Sequence, residues 1–93
     1  AQLTLREGIS QTALKGILSL LADDTYRMKG FICADGKSYL VNCVCSDIRL
    51  EVQEDAAPDN RLVLLAGKGM RLRACLKQVK EWYPQWVEEI VYD

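Results

Sequence analysis

The sequence predicts an α+β fold: a four-stranded, mainly antiparallel sheet with two main helices packed on one face, in the order strand-helix-strand-strand-strand-helix. Three observations predict it. Two windows, residues 11–24 and 70–82, carry apolar residues at helical spacing. Residues 25–53 are rich in Tyr, Phe, Ile, Val and Cys and are interrupted by Asp35-Gly36, a short-loop hairpin signal in which both positions accept positive φ. With 49% hydrophobic residues in 93, the chain suits a single domain over residues 1–93 with one core.

The first strand is "QLTLR" (Gln2–Arg6), where polar and apolar residues alternate until Glu7-Gly8 interrupts. Ser10 is placed to cap the helix "QTALKGILSLLADD", with Leu14, Ile17, Leu18 and Leu21 on its apolar side. Gly16 lowers the propensity of that helix by ~1 kcal/mol relative to Ala, so its presence reads as either close packing or mere tolerance. Asp23-Asp24 reads as the helix end. Thr25–Ala34 and Lys37–Gln53 are strands two and three. The acidic, proline-containing "EDAAPDN" (54–60) is a solvated loop, and "RLVLLAG" is a strand covered on both faces or lying centrally, ended by Gly67 and Gly69. Met70–Trp82 is the second helix, with Leu72, Cys75, Leu76 and Val79 on one side and Arg71, Arg73, Lys77 and Lys80 in a solvated basic stripe. Pro84 stops or kinks it, and "PQWVEEIVYD" is either a further helix or an extended tail.

A two-residue loop at Asp35-Gly36 sets a register. Counting outward pairs Ala34 with Lys37, Ile32 with Tyr39, Gly30 with Val41, Met28 with Cys43 and Tyr26 with Cys45, a nearly all-apolar face turned to the helices. The opposite face carries Cys33 with Ser38, Phe31 with Leu40, Lys29 with Asn42 and Arg27 with Val44. There Arg27, Lys29 and Asn42 form a polar group beside the apolar pair Phe31 and Leu40, the pattern of a partner-binding surface with an apolar centre and polar anchors. A slip by one residue would exchange the two sets.

Composition narrows the function. A formal net charge of −1 gives no global field favouring nucleic acid or an anionic membrane. The longest apolar run, Leu62–Ala66, is far short of the ~20 residues a membrane helix needs. With no histidine, a Ser-His or Cys-His catalytic pair is excluded, and no nucleophile-base pair can be assembled, so the expectation is no enzyme and no cofactor. "AGKG" (66–69) lacks the GxxxxGK[ST] spacing of a phosphate loop. Four unevenly spaced cysteines in a chain with a good apolar supply indicate free thiols and a cytoplasmic setting. Cys33 points away from Cys43 and lies about five residues up the ladder, roughly 17 Å at ~3.4 Å per residue, so the hairpin alone cannot form a three-thiol site. Cys43 and Cys45 share a face and Cys75 could approach them, which makes these three the alternative, a small cysteine-based metal-binding module, against core thiols without metal.

The helix "ALKGILSLLADD" running into "YRMKGFI", the strand "YLVNCVCSDIRLE" and "RLVLLAGKGMRLRACLKQV" together resemble the C-terminal domain of the CobW family of GTP-dependent metallochaperones, over about Leu3–Val79. The R-x-K-G after an amphipathic helix and the apolar strand, glycine turn and following helix carry the resemblance. Ala66 before Gly67 and the C-terminal "YPQWVEEIVYD" depart from the pattern. In that family the P-loop, the Mg²⁺ ligands and a Cys-x-Cys-Cys motif belong to the N-terminal GTPase domain. "CVC" is not that motif, because it lacks the third adjacent cysteine. The resemblance implies a non-catalytic accessory domain of a protein concerned with cobalt or zinc delivery or cobalamin synthesis. It would bind its own GTPase domain or another protein partner through Arg27, Lys29, Phe31, Leu40 and Asn42, without nucleic acid or membrane.

Overall fold

In the computed structural model, which describes residues 1–55, 57–67 and 71–92, the chain runs β1 (Gln2–Leu5), α1 (Gln11–Ala22), β2 (Arg27–Ala34), β3 (Lys37–Val44), β4 (Asp47–Val52), β5 (Arg61–Leu65), α2 (Leu72–Trp82) and β6 (Val87–Val91). The strands form one sheet in the order β4-β3-β2-β5-β1-β6, every neighbouring pair antiparallel. The α+β class and the two helices agree with the sequence, but the sheet has six strands rather than four. The expected start of the second helix at Met70, and the Lys68-Gly69 part of "AGKG", lie outside the described residues, as does Ala56 in the acidic loop.

Each extra strand has a local cause. Residues 37–53 are two strands because Cys45 and Ser46 both take positive φ, 49° and 72°, the pair of left-handed conformations a tight two-residue hairpin turn requires. Neither residue is Gly or Asn, the residues that most readily take such conformations, so beside Ser46 itself the turn carries little compositional mark. The tail takes the extended alternative: Trp86 N–H donates to the Tyr83 carbonyl in a turn after α2, and β6 then pairs with β1.

Because β5 is antiparallel to both β1 and β2, the strands joined through α1 run parallel with another strand between them. The strands joined through α2, β5 and β6, likewise flank β1. These are two interleaved split β-α-β units, extended on one side by the β3–β4 hairpin. Both crossovers put their helix on the same face. That face buries Leu3 and Leu5 of β1, Met28 and Ile32 of β2, Val41 and Cys43 of β3 and Leu62 and Leu64 of β5. Leu14, Ile17, Leu18 and Leu21 of α1 and Leu76 and Val79 of α2 pack against them.

Side chains fix where α1 starts and stops. Ser10 Oγ accepts the Ala13 N–H at 3.1 Å, the expected cap, and Asp35 Oδ2 at the hairpin tip accepts the Gln11 N–H at 2.8 Å. A carboxylate over the first turn also complements the helix dipole. At the other end the buried Thr25 hydroxyl donates to the Leu21 carbonyl. Gly16 is there for close packing, since the Tyr83 hydroxyl from the end of α2 occupies the place a Cβ would take. At the head of β5 the buried Asn60, at φ 57°, holds three neighbours. Its Oδ1 accepts the Cys33 N–H at 2.8 Å, its N–H donates to the Phe31 carbonyl at 3.0 Å, and its carbonyl accepts the Leu5 N–H at 2.8 Å.

Gly30 in β2 is opposed by the backbone of β5, where the Arg61 carbonyl fills the space of a Cβ. Backbone in a central strand cannot swing aside as a side chain can. Gly30→Ala is therefore expected to destabilise the domain by about 1–3 kcal/mol, read as a lower urea midpoint with unchanged slope.

Candidate partner-binding surface

Strand pairing carries the side chains of the uncovered face into rows. One row reads Arg49, Asn42, Lys29, Val63, Gln2, Val91 from β4 to β6, and the next Glu51, Leu40, Phe31, Arg61, Thr4, Glu89. A third, shorter row is Asp47, Val44, Arg27, Leu65. The hairpin register expected from the sequence is the observed one from Arg27 opposite Val44 to Ala34 opposite Lys37. Consequently Arg27, Lys29, Phe31, Leu40 and Asn42 do come together on the face away from the helices. Phe31 is 36% exposed, Leu40 and Asn42 are half-buried, and Arg27 and Lys29 are exposed.

The structure adds β5 to this group. Residues 61–65 alternate rather than being covered on both faces, with Leu62 and Leu64 buried while Val63 and Leu65 are 46% and 53% exposed. The strand is central, but one face of the sheet has no cover among the described residues, which corrects the first of the two sequence readings. Val63 and Leu65 lie opposite Lys29 and Arg27, and with Phe31 these five residues line a shallow depression. Arg61, opposite Phe31, adds a third cation. The signal for β5 was its parity: Arg61 at the first position puts Val63 and Leu65 on the same side as a charge. Asn42 Oδ1 is buried at the edge of this surface without a protein hydrogen-bond partner.

The cysteines fall in four separate settings. Cys43 is buried on the helix-covered face and Cys33 is half-buried on the other. Cys45, expected beside Cys43 under the helices, is instead exposed, because it is the first residue of the β3–β4 turn and has left the pleat. Cys75 is buried in α2, its thiol donating to Asp24 Oδ2 at 3.1 Å, while Asp24 Oδ1 accepts the Arg71 N–H at 3.0 Å. Asp24 is thus more than a helix end, since it ties the exit of α1 to the first turn of α2. Among the described residues no three Cys, Asp or Glu side chains gather where they could hold a metal ion, so Cys43, Cys45 and Cys75 do not converge. No helix among these residues is long and apolar enough to cross a membrane.

An open-faced α+β domain, two helices over an antiparallel sheet whose second face presents apolar residues among cations, is the class of protein these features define. The family model of the cobalamin synthesis protein CobW C-terminal domain matches residues 2–81, and the chain belongs to that family. No curated protein and no solved structure matches it. The match ends at the close of α2, so β6 lies beyond it. As a CobW C-terminal domain, the chain has the role of an accessory domain in a CobW-like protein.

The Asp24–Cys75 contact has a pH signature. Burial first, and then the hydrogen bond to Asp24, push the Cys75 thiol up to about 11 from 9.0. The folded state therefore favours the neutral thiol, and its contribution to stability is complete below pH 9 and is lost as the pH rises through 11. The Cys75 thiol and then the Arg71 N–H hold the Asp24 carboxyl below its ordinary 3.8, a contribution lost as the pH falls through that lowered value. Urea unfolding of the wild type between pH 8 and 11 should lose more stability than that of Cys75→Ala. At pH 8, iodoacetamide followed by peptide mass spectrometry should label exposed Cys45 several-fold faster than buried Cys43 and Cys75.

Proposed function

We propose that the chain is a non-catalytic docking domain whose uncovered sheet face binds the GTPase domain of a CobW-like protein, and that it serves that protein's cobalt or zinc delivery or cobalamin synthesis. One observation carries the reading: Phe31, Val63 and Leu65 form a contiguous apolar depression edged by Arg27, Lys29 and Arg61 on a face that no helix covers. Apolar side chains on a central strand stay in water unless something covers them, and the surrounding cations select an acidic rim on the partner. The accessory role of the family domain supports a neighbouring domain, rather than a small substrate, as the occupant. The absence of histidine from the sequence supports binding without bond-making, since the side chain best suited to proton transfer near neutral pH is missing.

Covering Phe31 fully contributes roughly 1.5 to 3 kcal/mol to a complex, while a rim charge acts mostly on approach and orientation. Calorimetric titration of the chain with a purified CobW-type GTPase domain tests the proposal. Phe31→Ala should weaken binding about tenfold or more while leaving the chain folded, and Lys29→Glu should slow association and steepen its loss. Binding unchanged by both substitutions would place the interface elsewhere. Loss of folding in Phe31→Ala by several kcal/mol would assign Phe31 to the core instead.

A further inference from the structure

The sheet has two edges, and they differ. At β6 the pairing with β1 is broken by a bulge between Thr4 and Leu5, and Glu88 and Glu89 are exposed, so that edge is bent and negatively charged. At β4 all six residues, from Asp47 opposite Val44 to Val52 opposite Tyr39, pair with β3 in unbroken register, and no described strand lies on the outer side. The segment DIRLEV has no Pro, no Lys and no bulge, and its charges, Asp47, Arg49 and Glu51, alternate in sign along one face.

The Gln53 N–H donates to the Ser38 carbonyl at 2.9 Å, which fixes the parity of the ladder. Asp47, Arg49, Glu51 and Gln53 spend their main-chain groups on β3, and those of Ile48, Leu50 and Val52 point outward. The side chains alternate with the same period. Asp47, Arg49 and Glu51 stand on the uncovered face, while Ile48, Leu50 and Val52 stand on the helix side, with Val52 50% exposed and Ile48 and Leu50 half-buried. Ile48 and Leu50 floor a groove there together with Tyr39, walled by Gln11, Lys15 and Ser19 of α1.

We infer that β4 is a homodimerisation edge, pairing antiparallel with β4 of a second copy about a two-fold axis at Leu50. The charge pattern selects this register. With Leu50 opposite Leu50, each Arg49 faces Glu51 of the other copy, and Ile48 faces Val52 on the apolar side. Shifting the axis to Arg49 would set arginine against arginine and Asp47 against Glu51. Shifting it to Ile48 would keep Asp47 opposite Arg49 but run the pairing into the Cys45-Ser46 turn. The Arg49–Glu51 pairs fall at non-hydrogen-bonded positions, where cross-strand side chains are nearest, while the outward main-chain groups bond to each other. The two apolar grooves meet on the helix side, and both uncovered faces point the same way. Because the bulged acidic β6 edges remain outermost, assembly closes at the dimer instead of growing into a fibre.

Sedimentation of the 93-residue chain over micromolar to millimolar concentrations, with Arg49→Glu, Glu51→Arg and an equimolar mixture of the two, tests this. The wild type should show a concentration-dependent dimer. Each single variant places like charges opposite each other at two symmetric sites, so its dissociation constant should rise at least about tenfold while its circular dichroism is unchanged. The mixture should recover the dimer, because both glutamates at positions 49 and 51 of one variant then face arginines of the other. A wild type that stays monomeric at millimolar concentration overturns the inference. So does a dimer indifferent to the single substitutions, or a mixture that fails to reassociate.

Discussion

The register of the β2–β3 hairpin is the constraint on which the rest depends. Asp35 and Gly36 take φ of 49° and 76°, and this two-residue turn leaves the strands one parity in which Met28, Ile32, Tyr39, Val41 and Cys43 all face the helices. A slip by one residue would bury Arg27 and Lys29 and expose Met28 and Ile32, exchanging apolar burial for desolvated charge. The turn also has a second task. Its Asp35 carboxylate accepts the Gln11 N–H and its Asp35 N–H donates to the Ile9 carbonyl, so the hairpin tip holds the entry of α1. The next turn reaches the exit of the same helix, with Ser46 Oγ donating to the Ala22 carbonyl at 3.4 Å. A helix held at both ends by turns of the sheet it covers has little freedom to shift along it.

From that register follows the two-sidedness of the molecule. Both crossovers lie on one face, so the core has one layer of helix against one layer of sheet, and the second face is left to water. Most open faces are polar throughout, yet here a central strand contributes Val63 and Leu65 to it. They lie beside Lys29 and Arg27 of the neighbouring strand, so apolar surface and cations share one part of that face. The thiols, by contrast, are dispersed among a core position, a turn, the open face and a helix. Among the described residues the thiols do not converge with one another or with carboxylates as metal ligands would.

The edges of the sheet repeat the asymmetry of its faces. One is bent, acidic and formed by a strand beyond the family match, and the other is straight, alternating and self-complementary in charge. β6 covers what would otherwise be an open edge of β1, a short strand at the centre of the core through Leu3 and Leu5, and so guards the strand the fold can least afford to leave exposed.

The sequence by itself determined whatever depends on local chemistry and parity. Asp35-Gly36 set the hairpin and its faces, Ser10 and the leucine spacing set α1, and the R-x-K-G with the apolar blocks pointed to the CobW C-terminal family. Arg27, Lys29, Phe31, Leu40 and Asn42 were placed together by counting alone. Tertiary structure decided what local preference leaves degenerate. Cys45 and Ser46 have no preference of their own for the left-handed region and adopt positive φ because β4 gains a ladder on β3 and Ser46 a contact with α1. The tail after Pro84 fits either a helix or a strand until the open edge of β1 offers it hydrogen bonds. Residues 61–65 read as a strand either covered on both faces or lying centrally, and the strand is central. The parity set by Arg61 was the one mark that Val63 and Leu65 share a side with a charge, while the placing of both helices on the other side made them surface. Asp24 and Cys75, 51 positions apart, meet only when α1 and α2 lie side by side. Periodicity within a strand or helix is written in the chain, whereas which faces are covered is a property of all the elements together.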